Sequence, residues 1–212
     1  MNPNHPRSTL KSLTGRSRLS AMALAAFTLL SGVASASAPT DSVEREKWRH
    51  VERFEVKTPY SDMNAGAAWV NVDAPVDIVR SVVLDYKNYP SFISRFEKAR
   101  VVGKSGDKTD VYLQVPILKG AAKVWAIVRF EPVTQVNGAD VIVGHMIKGN
   151  VKRLDATWRL RKIDDASTRV ALELLIVPDM PVPGSLVVPE VRFAAAKAVE
   201  GSRDESEKRR AH

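Results

Sequence analysis

The chain of 212 residues contains no cysteine, and that one absence removes a large part of protein chemistry. A disulfide framework, thiolate-ligated zinc, an iron–sulfur cluster, a cysteine nucleophile and a lipid anchor on an N-terminal cysteine are all excluded. Histidine is nearly as scarce. Past the first forty residues only His50, His145 and His212 remain. None stands in an H-x-x-x-H spacing, and the three lie far apart in the sequence, so no metal site is expected. There is no G-x-S-x-G, no P-loop and no Rossmann glycine pattern, hence no nucleophile elbow and no phosphate cradle, and no cofactor is expected. What is left has an ordinary globular composition, 44% apolar and 26% charged, and a length suited to one domain.

The first forty residues form a separate unit of meaning. Arg7, Lys11, Arg16 and Arg18 make a basic segment without an acid, and an Ala- and Leu-rich apolar run follows from about Leu19 to Val33. That run is short for a spanning helix, and Ala34-Ser35-Ala36 offers small residues in the A-x-A arrangement. The order is that of an export signal over residues 1–36. Ser17 separates Arg16 from Arg18, so the signal reads as Sec-type, and cleavage after Ala38 would set Pro39 beside the scissile bond. The expected location is the periplasm, or outside the cell. Four of the 32 basic residues and none of the 24 acids precede Ser37, so the remainder carries a net +4. That is too little for a nucleic-acid footprint, although it suits slight attraction to acidic headgroups and a transient membrane contact.

Periodicity organises the rest. Residues 41–50 read as a short charged helix and Phe54–Val56 as a strand. Pro59 to Asn64 form a turn, and Ala65–Val72 is its hairpin partner. After Asp73-Ala74-Pro75, the apolar residues Ile78, Val79, Val82 and Val83 fall three and four apart. This predicts a helix in spite of their β-branching. A second short helix is expected over 89–94. From Lys98 onward the period is two: strands are expected at 98–104, around Val111–Val115, at 123–130, 140–147, 154–161 and 170–176. Ser105-Gly106-Asp107, Asn137-Gly138 and Asp164-Asp165-Ala166-Ser167 are the turns between them. The paired carboxylates Asp164 and Asp165 therefore read as turn residues. Gly144 and Gly149 read as a bulge or bend. After the Pro178–Pro183 loop, Ser185 is the expected N-cap of the longest helix, Leu186 to about Lys208, whose end from Asp204 onward is expected to fray.

The segment Asp73-Ala-Pro-Val-Asp-Ile-Val-Arg-Ser-Val-Val-Leu-Asp-Tyr-Lys-Asn-Tyr-Pro-Ser-Phe92 resembles the opening "aP…vw.vl.Dy.nyp.f" of the polyketide cyclase and coenzyme-Q-binding branch of the START, or birch-pollen-allergen-like (SRPBCC), superfamily. Val79 stands where that family often has Trp. Trp158 with Leu160, and then Thr168-Arg-Val-Ala-Leu-Glu-Leu174, resembles the end of that family's meander. The resemblance covers roughly residues 65–200. It implies an α+β helix-grip fold, with a curved antiparallel β-sheet wrapped around a long C-terminal helix and two short helices after the first strand. The expected organisation is a signal peptide over 1–36, an N-terminal extension over 37–64, a START-like domain over 65–203 and a charged tail over 204–212.

Such a sheet around one helix encloses space whose fate depends on side-chain size. Small residues on the helix (Ala195, Ala198) and on inward strand positions (Ala126, Ala156) are read as leaving room. The expected cavity lining is Leu113, Val115, Val124, Ala126, Val128, Trp158, Leu172, Leu174, Val191, Ala195 and Ala198. A core filled without a cavity is the competing reading, because any sheet core alternates in this way. The leading expectation is an exported, non-enzymatic binder or carrier of a hydrophobic small molecule such as a quinone, a sterol-like molecule or an acyl lipid. The alternative is a polyketide cyclase/aromatase-type enzyme using the same cavity, and a third reading is a filled domain acting through protein contact. No catalytic set converges. His145 reads as a packed or surface residue whose strand parity is ambiguous, and Tyr86 and Tyr89, which flank a helix break, as packing in preference to cavity-mouth residues. Trp125 and Ile127 fall on the outer face, either covered by residues 41–57 or forming a membrane-docking patch.

Overall fold

The computed structural model describes residues 42–59, 61–117 and 122–212. The expected export signal lies outside them. Helix α1 (Ser42–Trp48) leads into β1 (Glu52–Val56), which forms a hairpin with β2 (Ala65–Val72). Helix α2 (Val76–Val83), a 3₁₀ turn (Tyr86–Asn88) and α3 (Tyr89–Phe92) follow. The meander is β3 (Lys98–Ser105), β4 (Lys108–Ile117), β5 (Ala122–Phe130), β6 (Thr134–Val136), β7 (Ala139–Gly149), β8 (Arg153–Lys162) and β9 (Thr168–Val177). It ends in α4 (Gly184–Arg210). All pairings are antiparallel, in the order β1-β2-β9-β8-β7-β5-β4-β3, with β6 beside the first part of β7. This is the helix-grip architecture. Among the described residues, no helix is long and apolar enough to cross a membrane.

Each short helix forms for a local reason. Pro75 ends the extended approach as the N-cap of α2, and the stripe Val79, Val82 and Val83 is fully buried, so periodicity overrides β-branching here. The 3₁₀ turn and α3 close one end of the sheet. Tyr86 stacks on Phe130 with ring centroids 4.4 Å apart. Tyr89 donates its hydroxyl to the Val83 carbonyl at 2.6 Å. Burial raises the pKa of both phenols, that of Tyr89 well above the ordinary value. Both tyrosines are packing residues, as expected. Asp164 accepts the Ala166 amide at 2.9 Å, so the paired carboxylates are indeed turn residues.

The structure corrects several expectations. Strand β6, too short to show a period, is joined to β7 by Asn137-Gly138, both at positive φ (50° and 73°), as a two-residue hairpin requires. Helix α4 starts at Gly184 with Pro183 as its N-cap, so Ser185 lies inside the first turn and makes no cap. Its charged end does not fray. The helix runs to Arg210, and Arg209 reaches Asp85 at 2.8 Å while Arg49 reaches Glu207 at 2.6 Å. Ser202 and Ser206 are fully buried on the same stretch. Residues 42–57 do not cover Trp125 either, because β1 is the edge strand opposite the β5–β4–β3 side of the sheet.

Candidate functional site

Where α4 sits decides where the fold is open. Gly66 on β2 faces it, and a Cβ built there would meet the backbone of Arg192 and stand 2.7 Å from the Val191 carbonyl carbon. The helix backbone therefore lies directly on β2, and its packing partners are β2, β9, α2, β1 and α3. Ala195 and Ala198 are buried. Small residues at this seam serve close approach.

The inner faces of β4 and β5 are sealed at one end only. Along β4, Val111 is fully buried while Leu113 and Val115 are half-buried. On β5, Val128 and Ala126 are buried and Val124 is half-buried. On β9, Val170 and Leu172 are buried and Leu174 and Ile176 half-buried. The register places the half-buried members of all three strands toward the end where β5 pairs with the close of β7 and β9 leads to α4. Apolar inward positions thus open progressively toward one mouth.

A cavity of about 900 Å³ lies at that end. Met63, Met146, Leu154 and Val177 give it apolar wall, and Leu154 and Met146 also belong to or pack on the core. Its polar rim is Ser61, Asp62, Lys152 and the group His145, Asp155 and Arg153. His145 faces outward from β7 directly opposite Asp155 on β8, and its Nδ1 is 2.9 Å from Asp155 Oδ1. Arg153 Nε donates to the other oxygen of the same carboxylate. The imidazole is thereby held at one nitrogen, with its side chain 55% exposed. A second cavity, of about 680 Å³, lies between residues 46–53 and α4. Val51, Phe193 and Ala196 give it apolar wall, and its cations Arg49, Lys197 and Arg203 are ion-paired to Glu207, Glu200 and Asp204.

Of the residues expected to line a cavity, Ala126, Val128, Trp158, Leu172, Val191, Ala195 and Ala198 are buried in the core. Leu113, Val115, Val124 and Leu174 form the half-buried open end. None of them is in the wall of either cavity described above. Sequence reasoning missed Met63, Leu154, Met146 and Val177 as wall residues. The His145–Asp155 contact was within reach, since the turn centred on Asn150 sets the two five residues to either side. Among the described residues, no cluster of three His, Asp or Glu could hold a metal.

The chain belongs to the family described as polyketide cyclase/dehydrase and lipid transport, which matches residues 72–200. Solved structures share the fold. A STAR-related lipid transfer protein from Xanthomonas axonopodis is 13% identical, with TM-score 0.63, over 74% of this chain and 93% of its own. Human STARD10 is 12% identical, with TM-score 0.61, over 85% and 84%. The Zhui aromatase/cyclase from Streptomyces sp. R1128 is 18% identical, with TM-score 0.54, over 76% and 96%. At these identities the likeness is one of fold. No curated protein matches the chain by sequence.

Proposed function

We propose that this protein binds and carries a hydrophobic small molecule, a quinone, sterol-like molecule or acyl lipid, entering at the open end of the sheet. The observation that carries the reading is the graded exposure of inward apolar side chains on β4, β5 and β9 toward one mouth. A ligand burying ~400 Å² of apolar surface there gains about 10 kcal/mol before the costs of association. The family takes in lipid transport, and the Xanthomonas axonopodis neighbour is a STAR-related lipid transfer protein. Export belongs to the same proposal and rests on the basic segment, the short apolar run and Ala34-Ser35-Ala36.

A second reading has an observation of its own. His145, held by Asp155 at 2.9 Å on the cavity rim, keeps Nε2 for proton transfer, as a cyclase/aromatase-type enzyme needs. One experiment separates the two. A fluorescent acyl probe is titrated into wild type, Leu113→Asp, Leu174→Asp and His145→Ala, and a polyketide-like chain is tested for turnover. The carrier reading expects the two Asp variants to lose binding at retained fold, His145→Ala to bind normally, and no product from any form. Product formation that falls about 10²–10⁴-fold in His145→Ala with binding intact would establish the enzyme instead.

A further inference from the structure

The outer face of the sheet at β3, β4, β5 and the end of β7 gathers side chains that the ligand site does not use. Cross-strand pairing lines up Arg100, Tyr112, Ile127 and Lys148 in one row, and Lys98, Gln114 and Trp125 in the next. Tyr112 and Trp125 are stacked, with centroids 6.1 Å apart, and the Arg100 guanidinium lies 5.4 Å from the Tyr112 ring centre. Ile147 is the extra residue where the β5–β7 register shifts, and it stands 49% exposed beside Lys148. Lys98, Arg100 and Lys148 are exposed and form no ion pair among the described residues, whereas Lys123 is neutralised by Glu97 at 2.7 Å. The face is therefore aromatic and aliphatic in the middle, with three uncompensated cations around it.

We propose that this face docks the protein on an anionic lipid surface. Tyr and Trp are the side chains that favour the headgroup layer, Ile127 and Ile147 supply aliphatic surface, and Lys98, Arg100 and Lys148 complement acidic headgroups. Ile147 directly follows Met146, a wall residue of the cavity, so docking by this face brings the mouth of the ligand site to the bilayer. The docking claim stands on the charge and composition of the patch and does not require the carrier reading.

The chain lacks cysteine, so a single engineered one can carry an environment-sensitive dye. Ile147→Cys is compared with Val136→Cys, an equally exposed position on β6 outside the patch. The apolar run at residues 19–33 could hold the full chain on any vesicle, so the readout is local. With vesicles of phosphatidylcholine containing 30% phosphatidylglycerol, the dye at 147 should shift to the blue while the dye at 136 does not. With phosphatidylcholine alone, neither should shift. Each cation near an acidic surface contributes about fivefold in affinity, so Arg100→Gln/Lys148→Gln should raise the lipid concentration for half-maximal shift by about 10- to 30-fold. Equal shifts at both positions, an equal response to neutral vesicles, or no effect of the double variant would overturn the proposal. A dye at 147 already in an apolar setting before lipid is added would also overturn it, by showing the face covered in the free protein.

Discussion

Replacing Gly66 by Ala tests how the helix is held on the sheet. In a strand free of other constraints this change stabilises by about 0.5–1 kcal/mol, because glycine loses more backbone freedom on folding. Here the new methyl would stand 2.7 Å from the Val191 carbonyl carbon and 2.8 Å from Arg192 Cα, with Arg192 N closer still. Optimal carbon contacts lie at about 3.5–4.0 Å. Helix α4 must therefore rise about 1 Å from β2 or the strand must bow outward, and these are backbone atoms that no rotamer change can move aside. Overpacking of this kind costs about 1–3 kcal/mol. For a domain of this size that is a fall in Tm of about 2–12 °C by calorimetry or thermal circular dichroism. Gly184→Ala is the control: its methyl would lie 3.7 Å from Met63 Cγ, an ordinary contact, and Tm should stay within about 2 °C. An unchanged or raised Tm in Gly66→Ala would refute the close seating of α4 and, with it, the explanation of why the sheet opens on the β4–β5 side.

Further outcomes follow from the closed end. Burial works against ionisation of Asp85, but hydrogen bonds from Asn88 and Arg209 outweigh it and hold its carboxyl below the usual carboxylate range. A depressed folded-state pKa gives stability that is present above the unfolded pKa of about 4 and is lost as pH falls through the folded value. Asp85→Asn should therefore lower Tm at pH 7, and the gap to wild type should shrink below pH 4; a gap constant with pH would refute the pairing. Tyr89→Phe removes the buried 2.6 Å bond to the Val83 carbonyl and should cost about 1–3 kcal/mol in urea unfolding, with little effect on probe binding at the far mouth. Gly138→Ala places a side chain at φ 73° and should cost about 1 kcal/mol, read the same way.

Much of the fold was legible because its signals are local. The two-residue period from Lys98 onward, Asn137-Gly138, and the three-and-four spacing of Val79, Val82 and Val83 each specify an element without reference to distant chain. The end of α4 was not legible for the opposite reason. Asp204 to Arg210 look like a solvated tail until Asp85 and Arg49, far away in sequence, supply partners. The site was legible only in part. Alanines on α4 read as room for a ligand, yet with Gly66 and Ala68 opposite they bring the helix against β2. Seven of the eleven expected lining residues are core, and Leu113, Val115, Val124 and Leu174 are left at the open end. The cavity wall itself unites residues 61–63, 145–146, 152–155, 177 and 184, and no periodicity links segments so far apart.

The central claim is that the open end of the sheet holds an apolar molecule. Native mass spectrometry of the protein, purified without detergent and followed by organic extraction, tests it most directly. The account predicts a stoichiometric adduct that survives gentle ionisation, is recovered in the extract, and is absent from Leu113→Asp and Leu174→Asp variants that remain folded. A bare polypeptide mass in wild type that also takes up no added quinone, sterol or acyl lipid would contradict it and leave a filled domain acting through its surfaces.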